Sequence, residues 1–66
     1  MMYTVQYFDE ATQDDVVVFT STLEECQNYI QEAYEEAEDE FEREEADELF
    51  IVEPDGFTVV DFTIVD

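Results

Sequence analysis

Residues 24–48 hold 13 Asp and Glu side chains and a single basic residue, Arg43. An ionised carboxylate enters an apolar interior only when it is paired and hydrogen-bonded, and one arginine cannot serve thirteen carboxylates. Whatever structure this segment adopts, nearly all of its faces must therefore stay in water, and it can offer a core no more than a narrow apolar stripe. The rest of the chain repeats the imbalance. It has 21 acids against one base in 66 residues, a formal net charge of -20 at pH 7, with no His and one residue each of Cys, Gly and Pro. Most of the side chains that build catalytic and phosphate-binding sites are missing, so an enzyme is not expected.

Charge of this size is common in disordered chains, but those lack apolar content. Here Leu, Ile, Val and Phe make up 19 of 66 residues and ten residues are aromatic, which is enough for a small folded core with an extreme surface. One domain spanning residues 1–66 is expected, because so short a chain buries only roughly 60% of its extended surface and encloses no deep pocket. The lone Cys26 leaves no internal disulfide, the staple usual in small secreted domains. Met1-Met2-Tyr3-Thr4-Val5 shows no basic region followed by an apolar run, and no apolar stretch approaches the ~20 residues of a membrane span. The expectation is a cytoplasmic protein with no membrane partner.

Local pattern predicts the elements. Residues 3–8 alternate Tyr3, Val5 and Tyr7 with Thr4 and Gln6, the period of a half-buried strand. Residues 9–15 read as an acidic hairpin loop, and Val16-Val17-Val18-Phe19-Thr20 as the returning strand. Ser21 with Glu24, and Thr22 with Glu25, both have capping-box spacing and start a helix. Leu23, Cys26, Ile30, Ala33, Tyr34, Ala37 and Phe41 then recur at steps of three and four along one helical stripe. The stripe would continue through Glu44 and Glu48, so residues up to about 47 should overhang the core or form a separate, fully solvated turn. Leu49-Phe50-Ile51-Val52 resumes strand composition, and Glu53-Pro54-Asp55-Gly56 is a turn signature. Residues 57–65 alternate Val60, Phe62 and Ile64 against Asp61 and Thr63. The fold class expected is α+β, in ββαββ order: a four-stranded, mainly antiparallel sheet with one acidic amphipathic helix, within residues 21–48, packed on one face.

That acidic helix is costly. Glu32 with Glu36, Glu35 with Asp39, Glu36 with Glu40, Glu38 with Glu42, Glu40 with Glu44 and Glu44 with Glu48 are like-charge pairs four apart, each costing roughly 0.2–0.5 kcal/mol. Together they reach about 1–3 kcal/mol, against a total stability of ~3–5 kcal/mol for so small a domain. Solubility needs far fewer charges, so the run calls for a functional account. A helix of about 25 residues is ~37 Å long. Net -12 over that length is one charge per ~3 Å, within a factor of two of the one per ~1.7 Å of duplex DNA.

With its 66 residues, its near absence of basic side chains and the run Glu35-Glu36-Ala37-Glu38-Asp39-Glu40-Phe41-Glu42-Arg43-Glu44-Glu45-Ala46-Asp47-Glu48, the chain resembles the small, acidic, phage-encoded DNA mimics, anti-CRISPR and anti-restriction inhibitors among them. The resemblance implies an inhibitor that occupies a Lys/Arg-rich DNA-binding groove of a CRISPR-Cas complex in the cytoplasm of an infected bacterial host, acting as a monomer or small homo-oligomer. It implies no cofactor and no direct contact with nucleic acid. The carboxylates placed toward the partner are Glu32, Glu35, Glu36, Glu38, Asp39, Glu40, Glu42, Glu44, Glu45, Asp47 and Glu48, with Asp9, Glu10, Asp14 and Asp15 as a secondary set.

Competing readings attach to the same residues. An acidic binding module could neutralise another basic partner, such as a restriction enzyme, a nucleoid protein or a toxin, and a charge that only prevents aggregation is the blandest case. Halophilic adaptation would spread charge more evenly. No metal site is expected, since an EF-hand loop needs spaced ligands around a central Gly and the one glycine, Gly56, sits in the Pro54-Asp55-Gly56 turn. Cys26 lies on the apolar stripe as an inert small hydrophobe, its pKa raised by the surrounding carboxylates. Tyr29 and Tyr34 flank the stripe as edge packing, where an exposed Tyr beside acids also suits stacking on an arginine. Arg43 is expected to pair with Asp39, Glu40 and Asp47.

Overall fold

The expected first hairpin forms because its loop satisfies its own backbone. In the computed structural model, which describes residues 2–65, β1 (Tyr3–Asp9) and β2 (Asp14–Ser21) pair antiparallel from Tyr3 opposite Ser21 to Asp9 opposite Asp14. Between them the Asp9 carboxylate accepts the Ala11 N–H at 2.9 Å and the Asp9 carbonyl accepts the Gln13 N–H at 2.7 Å. Gln13 turns the chain with φ 57°, in the left-handed region. A bulge between Val5 and Gln6 places Val5 opposite Phe19 but Gln6 opposite Val17, leaving Val18 as the extra residue. It interrupts the alternation of β2, so Phe19 is half-buried while Val17 and Val18 are exposed.

The third strand, β3 (Phe50–Val52), pairs antiparallel with β1, Val5 opposite Ile51, giving the order β2-β1-β3. The expected fourth strand does not form. Beyond the Pro54-Asp55-Gly56 turn, where Gly56 takes φ 99°, the chain makes one isolated bridge, Thr58 opposite Val52. Val59 then donates its N–H to the Ile51 carbonyl at 2.8 Å, and regular pairing stops. The reason is side-chain spacing. Val59, Phe62 and Ile64 are the residues that pack on the core, a step of three followed by a step of two, which no regular strand can place on one face. Val60, expected to face inward, is 85% exposed. The tail is held instead by α1: the Gln31 side-chain amide donates to the Val65 carbonyl at 2.7 Å and accepts the Val65 N–H at 2.8 Å.

Two helices replace the single one. The first, α1 (Leu23–Glu36), is capped by Thr22, whose hydroxyl accepts the Glu25 N–H at 3.3 Å, while the Ser21 hydroxyl donates to the Glu25 carboxylate. Of the two overlapping capping boxes, the Thr22 one is used. Ala37 is extended at ψ 131° and ends the helix. After Glu38, Asp39 caps α2 (Glu40–Asp47) by accepting the Glu42 N–H at 2.9 Å, and the Glu42 carboxylate reaches back to the Glu38 N–H, also at 2.9 Å. The break has an electrostatic rationale. It removes Glu35 with Asp39, Glu36 with Glu40 and Glu38 with Glu42 from helical register, leaving three of the six like-charge pairs.

The core is small and lies between α1 and the sheet. Val5, Cys26, Ile30 and Ile51 are essentially inaccessible, with Tyr3, Phe19, Leu23, Leu49 and the tail packed around them. Phe41, assigned to the buried stripe on the assumption of one continuous helix, is 69% exposed. Ala46 is buried in α2 instead, so this second helix is docked and not fully solvated.

Candidate functional site

Every carboxylate of the primary set is exposed, as desolvation demands of unpaired charges. Glu32, Glu35 and Glu36 stand on α1; Glu38 and Asp39 form the junction; Glu40, Glu42, Glu44, Glu45 and Asp47 stand on α2, and Glu48 is its C-cap. Three of them carry structural duty besides charge. Asp39 and Glu42 cap α2, and the Glu48 N–H closes the helix on the Glu44 and Glu45 carbonyls at 3.1 and 3.2 Å. In the secondary set Glu10, Asp14 and Asp15 are exposed, and Asp9 is half-buried with its carboxylate on the Ala11 amide.

The fold brings part of each set together. The end of the β1–β2 hairpin, α1 and α2 border one open groove of about 1030 Å³. Asp9 and Glu10 line it from the hairpin, and Glu42, Glu45 and Glu48 from α2. Glu32, Glu35, Glu36, Asp14 and Asp15 lie outside it. Between the carboxylates run apolar side chains: Tyr7, Phe8 and Val18 from the strands, Tyr29 from α1, Phe41 and Leu49 from the α2 side. Ala33 and Ala46 also line it, small residues that let the two helices approach. Phe8 is 50% exposed and Tyr29 36%. The Tyr29 ring is fixed by stacking on Phe19, centroids 4.6 Å apart and planes 13° from parallel.

Sequence reading placed Tyr29 at an edge but missed Phe8 and Phe41 as surface aromatics. The available signal was Asp39 followed three residues later by Glu42, a capping spacing inside the acidic run. It marks a new helix start, takes Phe41 off the α1 stripe and turns it outward.

Arg43 forms none of the expected pairs with Asp39, Glu40 or Asp47 among the described residues. It is half-buried on α2, and the Asp39 carboxylate is already engaged in the cap. Cys26 is buried, with Sγ 3.5 Å from the Tyr3 carbonyl oxygen and 3.8 Å from that of Ser21. Its pKa is raised chiefly by burial, with the Glu25 charge adding a smaller push and the Ser21 hydrogen bond opposing both. The expected direction holds, although burial and not the carboxylates is the main cause. Such a thiol is a packing group and not a nucleophile.

Among the described residues no group of three or more Cys, Asp or Glu side chains is arranged to hold a metal ion, and no helix is long and apolar enough to cross a membrane. The site can present negative charge over a broad face and apolar surface within one groove. Comparison with protein-family models, with curated proteins and with solved structures finds no match to this chain.

Proposed function

We propose that this chain is a DNA-mimic inhibitor that occupies the Lys/Arg-rich DNA-binding groove of a host defence protein, a CRISPR-Cas surveillance complex or effector, and so blocks binding of target DNA. The observation that carries the reading is linear charge density. The molecule measures 34 × 28 × 17 Å, and twenty net charges along 34 Å amount to one per 1.7 Å. Duplex DNA carries one per ~1.7 Å of axis and completes a helical turn in ~34 Å. The match belongs to the whole molecule and not to a single acidic rod, since the helices are 14 and 8 residues long. Inhibition is competitive, and long-range attraction speeds association.

The test is displacement of a labelled duplex from a panel of purified CRISPR surveillance complexes and effectors, restriction enzymes, nucleoid proteins and basic toxins. The wild-type chain displaces DNA from a CRISPR complex. A variant with Glu32, Glu35, Glu36, Glu40 and Glu44 changed to Gln, which leaves the Asp39–Glu42 cap intact, loses most of that activity. Equal activity of the two proteins would rule out phosphate mimicry. Selective binding to a toxin or nucleoid protein would favour an acidic neutralising module of another kind.

A further inference from the structure

We propose that the groove between the β1–β2 hairpin and α2 is an arginine-selective docking site that holds an Arg-rich segment of the partner protein, guanidinium planes on the exposed aromatic rings and guanidinium N–H groups on the flanking carboxylates. The inference rests on the reading of the chain as an inhibitor of a basic protein, and it assigns the specificity that diffuse charge alone does not supply.

Two independent features of the groove point to this occupant. Its charge is of one sign: Asp9 and Glu10 face it from the hairpin and Glu42, Glu45 and Glu48 from α2, with no basic side chain among the lining residues. It also displays aromatic surface where a chain of net charge -20 has no need of any, with Phe41 at 69% and Phe8 at 50% exposure. Phe41 is the second residue of α2, two after the Asp39 cap, so the Glu42 N–H to Asp39 carboxylate hydrogen bond that starts the helix also sets where its ring emerges. A second copy of the chain brings the same -20 and is repelled, as are a nucleic acid and an anionic lipid surface. Carboxylates alone would take lysine and arginine alike. A guanidinium, however, is planar and weakly hydrated, so it lies flat on an aromatic face while its fork of N–H groups reaches a carboxylate, whereas an ammonium meets the same groups as a compact, strongly hydrated point charge. At about 1030 Å³ the groove accommodates several side chains, which suits a segment better than one residue.

The experiment compares two synthetic peptides of equal length and charge, one with arginine and one with lysine at every basic position, titrated into the ¹⁵N-labelled chain. The wild-type chain binds the arginine peptide roughly three- to tenfold tighter, with amide shifts concentrated at Phe8, Tyr29, Phe41 and Leu49. Replacing both Phe8 and Phe41 by Ala reduces the preference to near unity while both peptides still bind through the carboxylates. Both rings are exposed, so the double variant keeps its fold, and its circular dichroism should match wild type. Equal affinity of the two peptides for the wild-type chain, or a preference that survives in the double variant, would overturn the groove assignment. So would shifts centred on Glu32, Glu35 and Glu36, or concentration-dependent dimerisation that buries the groove. None of those results would affect displacement of DNA by the wild-type chain, so failure of the groove and failure of the inhibitor reading are separable.

Discussion

The two helices carry similar charge and are held in different ways. In α1, 14 residues long, Cys26 and Ile30 are sealed against Val5 and Ile51, and its acids occupy the faces left over. In α2, five of eight residues are acidic and only Ala46 is buried. The first helix exists because the core needs it. The second exists because Asp39 and Glu42 satisfy its free amides and because a short helix separates charges that a continuous one would have stacked. The chain thus divides into a scaffold, in which core packing determines position, and a displayed element held by its caps and by lying against α1, with Ala46 its one buried residue. The most exposed aromatic of the groove, Phe41, and most of the groove's carboxylates belong to the displayed element, while Phe8 stands on the scaffold.

Four changes press on that division, in decreasing order of expected effect. Ile30→Ala empties the centre of the scaffold and should cost about 2–5 kcal/mol. A domain with ~3–5 kcal/mol in total would be largely unfolded by it in a urea titration; a loss below 1 kcal/mol would mean that the core is not where stability resides. Asp39→Ala should cost about 0.5–2 kcal/mol, confined to α2. Hydrogen exchange would then quicken over Glu40–Asp47 and leave Tyr3–Asp9 unchanged, and Asp39→Asn, an equally good cap, should restore protection. Faster exchange spread evenly over both helices would show that they unfold as one unit.

The third change is salt. Three like-charge pairs persist at helical spacing, so screening them should contribute about 1 kcal/mol and raise the melting temperature by ~4–8 °C between low and high NaCl. A melting temperature that falls with NaCl would contradict the repulsion argument. The smallest effect concerns Cys26. Burial, aided by the Glu25 charge, lifts its thiol above the ordinary value of 9.0, so the folded chain holds this proton at a pH where the unfolded chain has released it. Its contribution is complete below the unfolded value and is lost as pH rises through the folded one. Unfolding free energy measured from pH 7.5 to 10.5 should decline less steeply in Cys26→Ala than in wild type, and equal slopes would show that the thiol titrates alike in both states.

How far the sequence revealed this structure varied with how local each cause was. The first hairpin and the start of α1 were legible because strand alternation and the Thr22–Glu25 cap act over a few residues. The end of α1 was obscured because Glu and Ala favour helix on either side of the break and no Gly or Pro marks it; only the spacing from Asp39 to Glu42 did. The tail misled in another way. Alternation from Val60 to Ile64 is sound strand grammar, but Val59 takes the inward place because Ile51 and α1 offer cover there. The groove was beyond reach, since it joins residues near position 8 to residues near position 45, and no local period encodes that meeting. For the candidate site, the carboxylates were legible as composition, and their division between one groove and an outer face came only from the fold.

Phosphate imitation is tested most directly by displacement of a labelled duplex from a purified CRISPR surveillance complex by the wild-type chain, at 50 and at 200 mM NaCl. Competitive displacement is expected at both salts, and the affinity of the chain for the complex measured without DNA should weaken by roughly tenfold or more at the higher salt, as that of the duplex does. Direct binding of the chain that is indifferent to salt, or a ternary complex in which chain and DNA are bound together, would contradict it.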